Sequence, residues 1–200
     1  MKTIKIWNDA PSDRQLSEIT RDLEMGHTMI FPTDTLYAIG CDAMNTKAIE
    51  HICALKGINP AKTNLSIICS DISMASEYCR IDNKSFSLLK ENTPGPFTFL
   101  FRANSTLPKT FKGRKMVGVR IPDSGIARQI AERLGHPVLT TSIEYSDEDY
   151  ARNPDLISEA YHERVDIMIE GDEGSTEPST IIDCTGTEPE IIRQGKGMLK

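Results

Sequence analysis

Leu16, Ile19 and Leu23 recur at the spacing of one helical stripe, with Ser12 placed to cap the segment and Gly26 to end it. That pattern predicts a helix from Ser12 to Met25. Thr28 to Phe31 is a short apolar strand stopped by Pro32. Thr46 is placed to cap a second helix, whose apolar side is Ile49, Ile52, Cys53 and Leu55 and whose stop is Gly57. Leu65 to Cys69 reads as a buried strand, and Ser85 to Lys90 as part of a helix that Pro94-Gly95-Pro96 forbids from continuing. Phe97, Phe99 and Phe101 alternate with the period of two that puts them on one face of a strand. A strand at Met116–Ile121, a helix at Gly125–Leu134 and a strand at Val138–Thr141 follow. Further strands are predicted at Val165–Ile169, Thr180–Asp183 and Glu190–Arg193.

Strands and helices interleave throughout, which predicts a mixed α/β (α+β) protein with a large twisted sheet flanked by helices. The Phe97 and Met116 strands are joined by a basic linker with no clear helix. That allows an antiparallel pair, so a mixed parallel and antiparallel sheet is expected. The acidic stretch from Glu144 to Asp155 is the candidate mobile surface loop. With 200 residues and no repeat or low-complexity tract, residues 1–200 read as a single domain.

Composition narrows the classes. Leu, Ile, Val and Phe number 46, enough to exclude a disordered chain, and no apolar run approaches the roughly 18 residues of a membrane span. Trp7, Asn8 and Asp9 stand where a signal peptide would be apolar. The five cysteines (Cys41, Cys53, Cys69, Cys79 and Cys184) share no CxxC spacing and fit reduced thiols in a cytoplasmic protein. With four scattered histidines and no HExxH, no metal site built from side chains is expected. The net charge of −6 is unevenly distributed. Arg102 to Arg133 holds eight basic residues against Asp123 and Glu132, whereas Glu144 to Glu190 holds fifteen acids against Arg152 and Arg164. An acidic protein with that split still presents a local positive face to an anion, although a solvated helix and a loop of lysines give the same count.

Five segments carry candidate chemistry. Phe31 to Gly40 runs from a strand into the turn Thr33-Asp34-Thr35, whose donors suit a carboxylate or phosphate, or simply bond their own backbone. In Lys56 to Ser66, Lys56 sits at a helix C-terminus and Lys62 in a Pro/Asn loop beside the sheet. The loop matches neither GxxxxGK[ST] nor GxGxxG. Arg120, ending an apolar strand, has three outcomes open: solvent, an internal acid such as Asp183, or an anionic ligand suited to its planar fork. Thr140-Thr141-Ser142 and Pro178-Ser179-Thr180 are hydroxyl clusters at strand ends, a place where threonine is common for packing alone. Arg193 closes the last strand. No Ser-His-Asp or Cys-His arrangement is evident, so the set suits orienting charged substrates rather than covalent attack.

These segments, in this order, resemble the YrdC family of threonylcarbamoyl-AMP synthases. FPTDTLYAIGCDA, NTPGPFTF, VGVRIP and STIID followed by IIRQG carry the likeness, from about Thr28 to Gly197. The stretches Asn92–Phe99 and Leu65–Cys69 look closer to the YciO-like branch. The resemblance implies a mixed sheet around a concave, basic cavity. It further implies formation of threonylcarbamoyl-AMP and pyrophosphate from L-threonine, bicarbonate and ATP for tRNA modification, with Mg²⁺ held mainly by the ATP phosphates. Carried over by position, it makes Lys56 and Arg120 catalytic, and gives Thr35, Arg120 and Ser179 to threonine. Asn64, Lys62, Ser142 and Arg193 fall to the nucleotide. Two positions depart from the family pattern: Ile58 replaces the arginine of Lys-x-Arg, and Glu144 replaces the asparagine of Ser-x-Asn. Such a charge change near bound phosphates is worth on the order of a few kcal/mol. The alternative expectation is a protein of the same fold that binds tRNA or double-stranded RNA without synthase activity. Neither reading involves a membrane.

Overall fold

Ser12 caps the first helix as its position predicts: its hydroxyl accepts from Gln15 N while Gln15 Oε1 accepts from Ser12 N at 3.0 Å, a reciprocal capping box. The computed structural model describes residues 1–59, 65–108, 116–144, 150 and 152–200. In chain order the elements are β1 (Lys2–Lys5), α1 (Asp13–Glu24), β2 (Met29–Phe31), β3 (Ala38–Asp42), α2 (Thr46–Leu55), β4 (Ser66–Ile68), α3 (Ile72–Tyr78), β5 (Cys79–Arg80) and α4 (Asn83–Asn92). They continue with β6 (Phe97–Ala103), β7 (Met116–Arg120), α5 (Gly125–Leu134), β8 (Val138–Ser142), α6 (Pro154–Tyr161), β9 (Ile167–Glu170), β10 (Thr180–Asp183) and β11 (Glu190–Arg193). The cap of α2 is Asn45 rather than Thr46, because Asn45 is the residue with extended backbone and its side chain accepts from Ala48 N. Part of the predicted acidic loop is helical, since Asn153 caps α6 with Pro154 in its first turn. The rest of that loop, at 145–149 and 151, lies outside the described residues.

Among the described residues eleven strands form one mixed sheet in the order β1-β9-β2-β3-β8-β4-β7-β6-β10-β11, with β5 attached to β6. The Phe97 and Met116 strands pair antiparallel, with Phe99 opposite Val119. Parallel pairs join β1 to β9, β9 to β2, β4 to β7 and β6 to β10.

The two faces of the central strands differ in bulk, and that difference positions the site. One face carries Ile39, Leu139, Ile67, Val119, Phe99 and Ile182, which join the larger core beneath α2, α3 and α4. Phe97, Phe99 and Phe101 share it, with ring centroids 5.8 and 6.4 Å apart. The other face carries α1 and α5, whose Leu16, Ile19, Leu23, Ile126 and Ile130 pack on Ala38, Ile68, Val138 and the strands beyond. In register across that same face stand Ala38 opposite Ser142, Gly40 opposite Thr140, Ser66 opposite both Thr140 and Gly118, and Arg120 opposite Ile68. Apart from Ile68 and Arg120 these are small or hydroxyl side chains, and where the two helices no longer cover them a hollow remains.

Candidate functional site

The hollow is a cavity of about 220 Å³ on the central strands, walled by Thr35, Ser66, Thr98, Arg120, Thr140, Thr141, Ser142, Ser179 and Arg193 with Leu36, Ala38, Pro178 and Ile181. Its floor depends on Gly118, where a Cβ would strike Ser66 Oγ and crowd Thr98 Cγ2 at 3.1 Å. Thr140 lines the wall, and its Oγ1 is buried without a hydrogen-bond partner.

Arg120 enters from the end of β7 and is buried, with Asp34 as its partner. Nη2 donates to Asp34 Oδ1 at 2.7 Å and to Thr35 Oγ1 at 2.9 Å. Asp34 Oδ2 accepts from Asp123 N at 2.9 Å, and Thr33 Oγ1 accepts from Thr35 N. Of the outcomes open for Arg120, the internal acid is realised by Asp34 and not by Asp183, whose carboxylate accepts from Thr185. Sequence reading left Asp34 unassigned; its place between two threonines in the same turn was the available signal. Burial pulls the Arg120 guanidinium below its ordinary value and nearby Arg193 adds to this, while Asp34 opposes both. The group stays protonated. Its Nε is buried without a partner, so the fork has capacity beyond Asp34 and Thr35.

The opposite wall is built from β6, β10 and β11. Thr98 and Ser179 share a hydroxyl hydrogen bond of 2.8 Å, and Arg193 Nη2 donates to Ser179 O at 2.7 Å. Burial lowers the Arg193 pKa as well. The C-terminal turn holds this wall shut: Gly195 N donates to Thr180 Oγ1, and a Cβ on Gly195 would strike the Pro178 carbonyl. Lys196 Nζ, another cation that sequence reading passed over, reaches Asp34 O at 2.7 Å.

Thr35, Arg120, Ser142, Ser179 and Arg193 are thus brought to one cavity. Lys56 stands at its rim instead, where Nζ donates to Ser142 O at 3.0 Å and pairs with Glu144 Oε1 at 3.0 Å. Its own side chain is 10% exposed and that of Glu144 is 66% exposed, so the lysine is held from the solvent side. Lys62 and Asn64 lie outside the described residues, as do Arg114 and Lys115. The thiols take no part in the cavity. Cys41, Cys53, Cys69 and Cys79 are buried, and burial pushes Cys79 up to about 12 and half-buried Cys184 to about 11. Burial likewise raises Cys41 and Cys69, so none of Cys41, Cys69, Cys79 and Cys184 is a ready thiolate. Among the described residues no group of three or more His, Cys, Asp or Glu is placed to hold a metal ion, and no helix is long and apolar enough to cross a membrane.

A mixed sheet with helices on both faces, and a hydroxyl- and arginine-walled hollow where α1 and α5 leave one face open, defines the structural class. Residues 21–195 match the Sua5/YciO/YrdC family model, described as "Telomere recombination". The chain is 33% identical over 198 residues to the "Uncharacterized protein YciO" of Escherichia coli strain K12, covering 98% of this chain and 96% of that protein. The crystal structure of E. coli YciO superposes with a TM-score of 0.90 at 32% identity, over 99% and 98% of the two chains. P. abyssi Sua5, solved in complex with L-threonine, shares the fold with a TM-score of 0.87 at 23% identity; the match covers 98% of this chain and 58% of that one. The chain belongs to the Sua5/YciO/YrdC family and lies close to YciO.

Proposed function

We propose that this cavity forms threonylcarbamoyl-AMP from L-threonine, bicarbonate and ATP. The observation that carries the reading is Arg120: a buried guanidinium on the cavity wall, fixed by Asp34 and Thr35, with its Nε unpaired. A planar fork of that kind suits a carboxylate, and the threonine complex of P. abyssi Sua5, on the same fold, supports an amino-acid carboxylate as its ligand. Thr35 Oγ1 and Ser179 would orient the substrate from the two walls. A space of about 220 Å³ suits the amino acid, with the nucleotide extending past Ser142 and Arg193 towards Lys56.

The threonine amine adds to bicarbonate carbon and water leaves, giving a carbamate. A carbamate oxygen then bonds to the α-phosphorus of ATP and the bond to pyrophosphate breaks. The nucleophile belongs to the substrate, so the protein's task is to position anions and offset their charge. With no described acidic cluster to hold it, Mg²⁺ would arrive on the ATP phosphates, the usual arrangement for this ion, and neutralise part of their charge.

The test is pyrophosphate release from ATP and bicarbonate with and without L-threonine, other amino acids serving as controls. Release that depends on threonine and disappears in Arg120→Ala, with folding checked by circular dichroism, is the expected result. Release that is equal in Arg120→Ala, or absent with every amino acid, would end the reading. The RNA-binding alternative finds less support. Of the described members of the basic segment, Arg120 is in the cavity, Arg133 pairs with Asp13 at 2.7 Å, and Arg102 donates to Thr185 O. The fourth, Arg128, lines a separate groove, so these four described arginines do not share one surface.

A further inference from the structure

β4 and β7 are parallel neighbours, with Ser66 opposite Gly118 and Ile68 opposite Arg120. Beyond their carboxyl ends the chain departs to opposite faces of the sheet. β4 leads to α3, whose Ala75 and Tyr78 join the larger core, and β7 leads to α5, whose Ile126, Ala127 and Ile130 join the core on the other face. Two adjacent parallel strands whose helices diverge in this way open a crevice, and in α/β sheets that crevice is where ligands bind. A groove of about 600 Å³ occupies this place, within the usual range for small-molecule sites. It shares no wall residue with the cavity described above.

The lining defines the ligand chemistry. Ile72, Phe86, Pro94 and Ile121 make it largely apolar, and Phe86 is 48% exposed there. Its polar groups are mostly committed to the backbone. Asp71 accepts from Met74 N, and Ser76 and Thr93 donate to the carbonyls of Ser73 and Leu89. Arg128 is the exception. Its Nε is buried without a hydrogen-bond partner, and among the described residues no carboxylate lies within ion-pair distance of it. A buried N–H without a partner is unfavourable, and a carboxylate docked on this guanidinium would supply one.

We propose that this crevice is a second ligand site, which takes a small carboxylic acid with an aromatic body: the ring against Phe86, Ile72 and Pro94, and the carboxylate on Arg128. The site is independent of the synthase reading.

The test is a ¹⁵N–¹H NMR titration of the full chain with 3-phenylpropionate, and with 3-phenylpropan-1-ol as its uncharged counterpart. Resonances of Ser70, Ser73, Ser76, Phe86, Ile121 and Arg128 should shift. The acid should bind about tenfold more tightly than the alcohol, and Arg128→Gln should weaken acid binding by about the same factor while leaving alcohol binding unchanged. Phe86→Ala, a change at an exposed side chain, should weaken both ligands. Shifts confined to cavity residues such as Thr98 and Ser179, no shifts at all, or equal acid binding by Arg128→Gln would each overturn the proposal.

Discussion

Asp34→Asn separates the two things that Asp34 does. Both carboxylate oxygens accept: Oδ1 from Arg120 Nη2 at 2.7 Å, and Oδ2 from Asp123 N at 2.9 Å. The side chains of Arg120 and Asp34 are only 10% and 7% exposed. An asparagine offers one oxygen. Whichever donor it serves, its NH₂ group must face the other N–H, and Arg120 loses its counter-charge in either orientation. Breaking one side of a buried ion pair costs about 3–5 kcal/mol, a large part of the roughly 5–15 kcal/mol that holds a folded protein. With a urea slope of about 2–3 kcal/mol per molar for a chain of this size, the unfolding midpoint should fall by about 1–2 M.

The double variant Asp34→Asn/Arg120→Gln should lose less than the sum of the single losses, because neither partner is then left buried alone; a coupling of about 1–3 kcal/mol is expected. If Arg120 meets the threonine carboxylate as proposed, the single variant should also raise the threonine KM more than it lowers kcat, since Asp34 holds that arginine but lies away from the reacting atoms. A midpoint within about 0.3 M of wild type, or strictly additive losses in the cycle, would show that Asp34 neither stabilises nor orients Arg120.

Three further outcomes follow from other parts of the molecule. Burial pushes Tyr37 up to about 12, with its hydroxyl donating to Asp172 O and accepting from Gly171 N. The unfolded chain therefore loses this proton first as pH rises above 10, and stability falls on the order of 2–3 kcal/mol towards pH 12; Tyr37→Phe should show a shallower alkaline loss in urea melts at successive pH values. Gly118→Ala should put a methyl group against Ser66 and Thr98, raising the threonine KM at least about tenfold for a stability cost of about 1–3 kcal/mol, read by kinetics and urea melts on one preparation. Glu144→Gln should release Lys56 to a polyphosphate and tighten tripolyphosphate binding several-fold in calorimetry, while changing stability by under about 1 kcal/mol because the carboxylate is exposed.

The elements legible in the sequence were those whose side chains alternate or recur with clear bulk. The α5 boundaries match Gly125–Leu134, and β10 and β11 match Thr180–Asp183 and Glu190–Arg193. β3 was missed because Ala-Ile-Gly-Cys-Asp has little β-branched bulk; all five residues are nevertheless buried, and Gly40 is pressed against Phe31 and the Leu139 carbonyl, where no larger side chain fits. α3, at seven residues, is too short for a helical period to declare itself, and β1, Lys-Thr-Ile-Lys, buries only Ile4. Five residues of the conspicuous motifs, Thr35, Arg120, Ser142, Ser179 and Arg193, meet at one cavity, but their partners were not legible. Asp34 is adjacent to Thr35 in sequence yet finds Arg120 from 86 positions away, and Lys56 finds Glu144 across the same kind of gap. Pairing at that range is a property of the folded sheet, invisible to local spacing.

That sheet explains why one cavity collects residues from seven strands. In the central strands the apolar bulk is placed on one face, and on the other the chain sets Ala38, Gly40, Ser66, Thr98, Gly118 and Thr140 in register across β3, β8, β4, β7 and β6. Small residues on a face normally let a helix approach closely, as Ala38 does beneath α1 and α5. Past the reach of those helices Ala38, Ser66, Thr98 and Thr140 line the open space, so among the described residues the sheet's own side-chain volumes create the hollow. The charged groups then enter from its borders, Arg120 from the end of β7 and Arg193 from the end of β11, where strand termini leave room for long side chains. A ligand selected by such a cavity is recognised at its periphery by cations and hydroxyls over a floor of little bulk. Substitutions that enlarge the floor should therefore exclude ligand while leaving the charged rim intact, and substitutions at the rim should do the reverse.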